Sequence, residues 1–334
     1  MKRFYLLALI LTTYISSQAF TGPPVDSVID TIKVQPKVKY WKFAAIANLN
    51  FNQISFTNWA AGGESAFSGT ASFFPSAYYK KGNLTFENTG AFSYGLIDSK
   101  DKGVMKMEDR LELNSKLNYQ AVKKWNYSIL VSLKSQFGPG YNYPDRINEV
   151  SRFFAPGYLS LSFGMDYQPT RYFSLFMSPA SGKFTFVMDQ RLANAGAFGV
   201  RKAVTDANGN ILIPGDQIKP ELGILVNAKV KYEVMKNVIV DSRVILYDNY
   251  MDDDIDNKWN VDVDLETNIN FVINSMISTN FNSRFLYDDN IMIPIYNMEN
   301  GIKVQTGSGP RLQVKEAFGI GMVMKLGTHK RPTK

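Results

Sequence analysis

The chain has no cysteine and a single histidine, His329, close to its end. Without cysteine there is no disulfide framework, no thiol chemistry and no lipid-modified cysteine behind an apolar leader. The hydrolases known on membrane barrels (outer-membrane phospholipases, lipid-A deacylases, omptin proteases) need a histidine positioned beside serine or aspartate. His329 lies in the terminal tail, so no catalytic residue is assigned; a carboxylate-only enzyme is the disfavoured remainder. No apolar run reaches the 18 residues or so of a membrane-spanning helix, a lack that leaves β-barrels untouched. No basic stripe with interleaved aromatics appears, so no nucleic-acid partner is expected. The formal charge of +7 falls to +5 if Lys2 and Arg3 leave with a leader (7 − 2) and reads as lumen and loop charge. Asp252-Asp253-Asp254-Ile255-Asp256 lacks EF-hand spacing and reads as a solvated acidic loop in preference to a Ca²⁺ site. Gly307-Ser308-Gly309-Pro310 has no following Lys-Ser/Thr and is not a phosphate loop. No metal and no cofactor are expected.

Alternation is what the sequence has in quantity. From Asn257 to Tyr287, Val261, Val263, Leu265, Ile269 and Phe271 take odd positions, while Asp262, Asp264, Glu266, Asn268 and Asn270 take even ones. Ile277, Phe281, Phe285 and Tyr287 then alternate with Ser278, Asn280, Asn282 and Arg284. Period 2 is a β-strand with one apolar and one polar face. About fifteen alternating residues exceed the usual strand of about 5–6, so a tilted strand between lipid and a wet lumen fits better than a sandwich.

The same pattern repeats from Tyr40 onward, near 40–56, 65–80, 83–97, 104–119, 124–137, 157–168, from 172, 219–234, 237–250, the two runs above, and 311–327. Short turns near 81–82, 122–123, 169–170, 235–236 and 275 alternate with longer connections at 57–64, 98–103, 138–156, 178–218, 251–256 and 288–310. Five short and six long connections give twelve strands. The expectation is an all-β, transmembrane, antiparallel up-and-down barrel over 40–327, with lipid-facing apolar and lumen-facing polar residues and both termini periplasmic. Closure removes both sheet edges, as a membrane requires. Trp41, Tyr79, Trp125, Tyr167, Tyr172 and Tyr232 gather near short turns; Phe92, Tyr94, Phe137, Trp259 and Tyr287 gather near long ones. That is the two-girdle pattern of membrane interfaces.

The lumen-lining candidates are Lys106, Glu108, Arg110 and Glu112 on the fourth strand, Asp262, Asp264 and Glu266 on the tenth, and Arg284 on the eleventh. Outward residues are odd in both the tenth and eleventh strands, so their connecting loop has an odd length. A three-residue loop, 274–276, puts Glu266 opposite Arg284. Ahead of the barrel, Lys2 and Arg3, an apolar run from Phe4 to Ile15 and Ser17-Gln18-Ala19 read as a signal peptide over 1–19, in preference to an anchor helix. Residues 20–39 read as a periplasmic linker, with a plug or partner-binding arm as the alternative, and 328–334 as a periplasmic tail.

Two stretches carry a family resemblance: FNQISFTNWAAGGESAFSG (51–69) and FMSPASGKFTFVMDQRLANAGAFGV (176–200). Their marked positions are Gln53, Asn58, Trp59, Gly62 and Gly63, then Ser178, Pro179, Lys183, Asp189, Leu192, Gly196 and Gly199. With them the chain resembles, over most of 40–327, a Bacteroidetes family catalogued as domain of unknown function 3078. The resemblance implies an outer-membrane barrel with no established biochemical activity. Read physically, Asn58 to Gly63 is a glycine-allowed turn in which Trp59 can fill a pocket. It either only shapes its loop or, with the 178–218 connection, makes a lid or docking surface. Phe184, Phe186 and Met188 suggest a hairpin above the membrane within that connection, with Asn208-Gly209 as a further turn signal.

The sequence therefore points to a polar-lumen channel or transport barrel for small solutes in a Gram-negative outer membrane. The alternative is a barrel-anchored interaction or envelope-assembly component with no open pore. The expected partners are outer-membrane lipid, the barrel-assembly machinery during biogenesis, and, on the second reading, a protein docked on the outer loops.

Overall fold

The computed structural model describes residues 40–55, 65–100, 102–251, 260–299 and 302–327. The leader, linker and tail readings, Asn58 to Gly63, the 252–256 acidic loop, Trp259 and His329 lie outside them.

Among the described residues, twelve long antiparallel strands close into one barrel. They are β1 (Trp41–Ile54), β2 (Ala66–Lys81), β3 (Leu84–Ser99), β4 (Gly103–Val122), β5 (Trp125–Ser135), β6 (Gly157–Thr170), β7 (Phe173–Phe186), β8 (Ile218–Met235), β9 (Val238–Asp248), β10 (Asp262–Val272), β11 (Ile277–Tyr287) and β12 (Gln313–Gly327). Each pairs with its neighbours in sequence, and β1 pairs with β12 to close the ring. No helix among the described residues is long and apolar enough to cross a membrane.

Alternation sets the two faces. Phe43, Leu49 and Phe51 share a face with Phe318, Ile320 and Met322, and all are exposed, Phe43 at 62% and Phe318 at 63%. Large apolar side chains are exposed on every strand but β7 and β9, and together they form a belt that only lipid satisfies. Four hairpins turn through two residues: Lys81 pairs with Leu84, Val122 with Trp125, Thr170 with Phe173 and Met235 with Val238. Positive φ at Gly82, Lys124 and Asn237 gives three of these turns the twist that tight hairpins need. Rings pack along this rim, Trp41 on Tyr79 at 5.1 Å, Trp125 on Tyr167 at 4.7 Å and Tyr172 on Tyr232 at 4.9 Å.

The β10–β11 register is the expected one: Glu266 faces Arg284, and the Ile273 N–H donates to the Ile277 carbonyl across residues 274–276. The ion pair does not follow the register. Arg284 binds Asp264 at 2.8 Å, because Glu266 is taken from across the lumen.

The long connections differ from expectation in two places. β7 runs on to Phe186, paired with β6 and β8, so Ser178, Pro179, Lys183, Phe184 and Phe186 are barrel residues. The alternation of Phe184 and Phe186 is that of a barrel strand extending further, not of a separate hairpin. The hairpin in this connection is Val204–Thr205 with Ile211–Ile213, turned by Asp206, whose carboxylate accepts from the Asn208 and Asn210 amides. The 288–310 connection holds an eight- and nine-residue hairpin, Met292–Glu299 and Ile302–Pro310.

Candidate functional site: an ion-pair ring across the lumen

The polar face of β4 carries Arg110 and Glu112, and that of β10 carries Glu266. These strands stand six places apart in a ring of twelve, on opposite walls. Arg110 Nη1 nevertheless lies 2.7 Å from Glu266 Oε1, and its Nη2 lies 2.5 Å from Glu112 Oε2. Arg243 on β9 completes the set, with Nη1 2.8 Å from Glu112 Oε1 and Nη2 3.2 Å from Glu266 Oε2. Two guanidiniums and two carboxylates thus close a neutral ring across the barrel. Arginine suits this because its planar fork donates to two carboxylates at once. Asn114 donates to Glu112 at 2.9 Å, so the carboxylate is saturated. Both ring carboxylates are buried. Charges so withdrawn from water persist only when fully paired.

Further pairs join other walls. Lys134 on β5 binds Asp264 on β10 at 3.1 Å, and Arg284 shares that carboxylate. Lys315 on β12 pairs with Glu108 on β4. Lys183 on β7 sits among Asp262 (3.1 Å), Glu221 (3.6 Å) and Asp288 (3.8 Å), above the Tyr247 ring. Lys116 binds Asp166 at 2.6 Å. Lys106 lies beside the bulge at Gly95 and Leu96, its ammonium on Asp109 and on the Gly138 carbonyl. A cavity of about 420 Å³ occupies the lumen here; Arg110, Glu112, Lys134, Tyr158, Glu266 and Arg284 are among its walls.

The structure thus gathers Arg110, Glu112 and Glu266 into one ring, with Asp264 and Arg284 beside it. Glu108 and Asp262 belong to separate pairs. Arg243, Lys134 and Lys315 were not among the sequence candidates. Their signal was available: each is a cation on the polar phase of an alternating strand. Which carboxylate each meets depends on the barrel's width.

The second group of candidates divides. Ser178 Oγ lies 2.9 Å from the carbonyls of both Phe163 and Ala180 and closes the bulge that Pro179 follows. Asp189 belongs to the long connections. It caps the helix α1 (Gln190–Asn194), accepting from the Leu192 amide at 3.0 Å, and binds Arg152 at 2.9 Å. Burial pushes its carboxyl up, but the Leu192 amide and the Arg152 and Arg191 guanidiniums outweigh it and hold it below its ordinary value. Behind this cap, Ala155, Val187, Leu192, Ala193 and Val200 form a small buried core. Arg191 also donates to the Glu149 carbonyl, tying the β5–β6 and β7–β8 connections together.

Residues 51–141 match the model of a family described as protein of unknown function (DUF3078). No curated protein matches the chain. Among solved structures, an outer membrane channel from Pseudomonas putida F1 is 11% identical with a TM-score of 0.38, covering 89% of this chain and 100% of that one. The NanC porin is 10% identical with a TM-score of 0.33, covering 83% and 98%. The translocator domain of the autotransporter NalP from Neisseria meningitidis is 10% identical with a TM-score of 0.32, covering 84% and 87%.

Proposed function

We propose that this protein is an outer-membrane barrel that passes small polar solutes through a lumen narrowed by an internal ion-pair ring. The ring of Arg110, Glu112, Arg243 and Glu266 carries the reading. A barrel serving only as an anchor needs a filled interior, and apolar filling is generally as stable as buried charge or more so. Charge at a constriction beside a lumen cavity is how pores control passage. On this reading lipid surrounds the apolar belt, the barrel-assembly machinery inserts the chain, both termini are periplasmic, and no catalysis is assigned.

Planar-bilayer recording of the purified barrel tests the proposal. The wild type is expected to give small ion steps. Arg110→Ala/Arg243→Ala, which removes both guanidiniums and leaves two carboxylates, should give several-fold larger, cation-selective steps. Flat traces from both proteins, together with no solute uptake into liposomes, would overturn it.

A second reading, an interaction or assembly component, draws on the outer connections. The β5–β6 and β7–β8 connections share a buried core and ion pairs, more order than a passive loop needs. Pull-down from envelope extracts with and without Trp59→Ala tests it, and identical recovery of partners would count against it.

A further inference from the structure

The ring divides the lumen unevenly. On the β5–β9 side, inward residues pack as a protein core: Phe176, Leu225 and Tyr247 are buried, with Leu130 and Ile245 against them. Ser162 and Asp166 on the same side have no exposed surface at all. The opposite wall, β12–β1–β2, is different. Its inward positions from Asn48 to Asn52, Ser68 to Ser76 and Ala317 to Val323 carry no charge, and most are Asn, Ser, Thr, Ala or Gly. Inward here is fixed by register: Phe51 and Ile320 pair on the exposed lipid face, so Asn50 and Gly321 pair on the inner one. Asn52 and Ala317 lie on this inner face and are nonetheless exposed. Both lie toward the long-connection end of the wall, where the inner face opens to water, while their neighbours Ser68, Gly319 and Gly321 are covered. Further toward the tight-turn rim, Ile46 and Phe74 face each other on the same wall and are only half-buried.

From this asymmetry we infer that the passage runs along the β12–β1–β2 wall and suits uncharged, hydroxyl-rich solutes of the sugar and polyol class. The inference rests on the transport reading above. An amide- and hydroxyl-lined wall replaces the water hydrogen bonds of a hydroxylated solute one for one. An ion entering the same space sheds hydration and meets no counter-charge, because the ring beside it satisfies its own charges internally. Phe74 and Ile46 offer apolar surface to the C–H faces of a sugar ring.

The absence of cysteine makes the test direct. Ala317→Cys and Thr70→Cys, each a small replacement, should react with a water-soluble maleimide in barrels reconstituted in liposomes. Ser162→Cys and Phe176→Cys should react at least tenfold more slowly. A bulky maleimide on Ala317→Cys should then slow glucose-driven liposome swelling about fivefold, with the treated Ser162→Cys barrel unchanged. Equal labelling of all four positions would overturn the partition. Potassium chloride passing while glucose is excluded would overturn the solute class. If neither passes, even through Arg110→Ala/Arg243→Ala, the transport reading fails and this inference with it.

Discussion

Arg110 donates to carboxylates on its own strand and on the far wall of the barrel, so its removal is felt at both. Arg110→Ala leaves Glu266 with Arg243 as its one remaining cation, and Glu112 loses its shortest contact. An unsatisfied buried charge-assisted bond costs on the order of 1–3 kcal/mol. Arg110 is 24% exposed, which places the loss toward the lower end of that range. Glu266→Gln should cost a similar amount. The double variant should cost less than the sum of the two, because each single change strands the other's partner. Urea titration in detergent micelles, followed by tryptophan fluorescence, measures all three, and strictly additive losses would mean that the 2.7 Å pair contributes nothing of its own. Asp189 works in another setting, as a largely covered carboxylate in the connections beyond the barrel strands. Its carboxyl is held below the ordinary value, so the cap it makes is complete above that value, roughly pH 4. The contribution fades as pH falls through the depressed one. Asp189→Ala removes a helix cap worth about 1 kcal/mol. At neutral pH it should speed proteolytic nicking of 187–217 several-fold, and wild type should approach the variant's rate only in acid.

Closure is the demand on the strands. β1 and β12 approach so closely that a Cβ on Gly321 would lie 2.2 Å from Asn50 Oδ1 and 2.3 Å from the Leu49 carbonyl oxygen. The glycine also lets Asn280 on β11 reach over to Asn50 on β1 at 3.4 Å. Gly321→Val should therefore prevent stable closure, read as loss of the compact, heat-modifiable band of folded barrels on electrophoresis; an unchanged band would show that the seam can relax. Most strands were legible because period 2 marks them wherever one face is apolar and the other polar. The reading missed what happens where both faces are apolar. Ile129-Leu130-Val131, Ile224-Leu225-Val226 and Val244-Ile245-Leu246 interrupt the alternation, and their middle residues are those packed inside the barrel. The end of β7 was misplaced because Ser178-Pro179 imitates a loop, whereas its bulge is absorbed within the sheet. The ring itself was only half legible. Phase puts Arg110, Glu112 and Glu266 inside, but their meeting depends on how far a guanidinium reaches across twelve closed strands.

At the scale of the whole barrel, two opposed surfaces constrain one chain. The outer belt stays apolar for lipid, so all charge on the barrel walls is driven inward or to the rims, and inward charge has to be neutralised within a narrow space. Cross-lumen pairing is the consequence, and on the proposed transport reading it makes the width of the passage an electrostatic quantity. Opening the ring separates Arg110 from Glu266 through water. The charges attract over about 10 Å at 0.1 M salt but over only about 3 Å at 1 M. Wild-type conductance should therefore rise more steeply between these salts than the bulk conductivity does, as the ring spends longer apart. Arg110→Ala/Arg243→Ala has no ring to separate, and its conductance should simply track the bulk. Single-channel recording of both proteins across the same salt series decides the matter. Parallel curves would mean that the ring is a fixed strut, and that the wall opposite the packed core sets the passage alone.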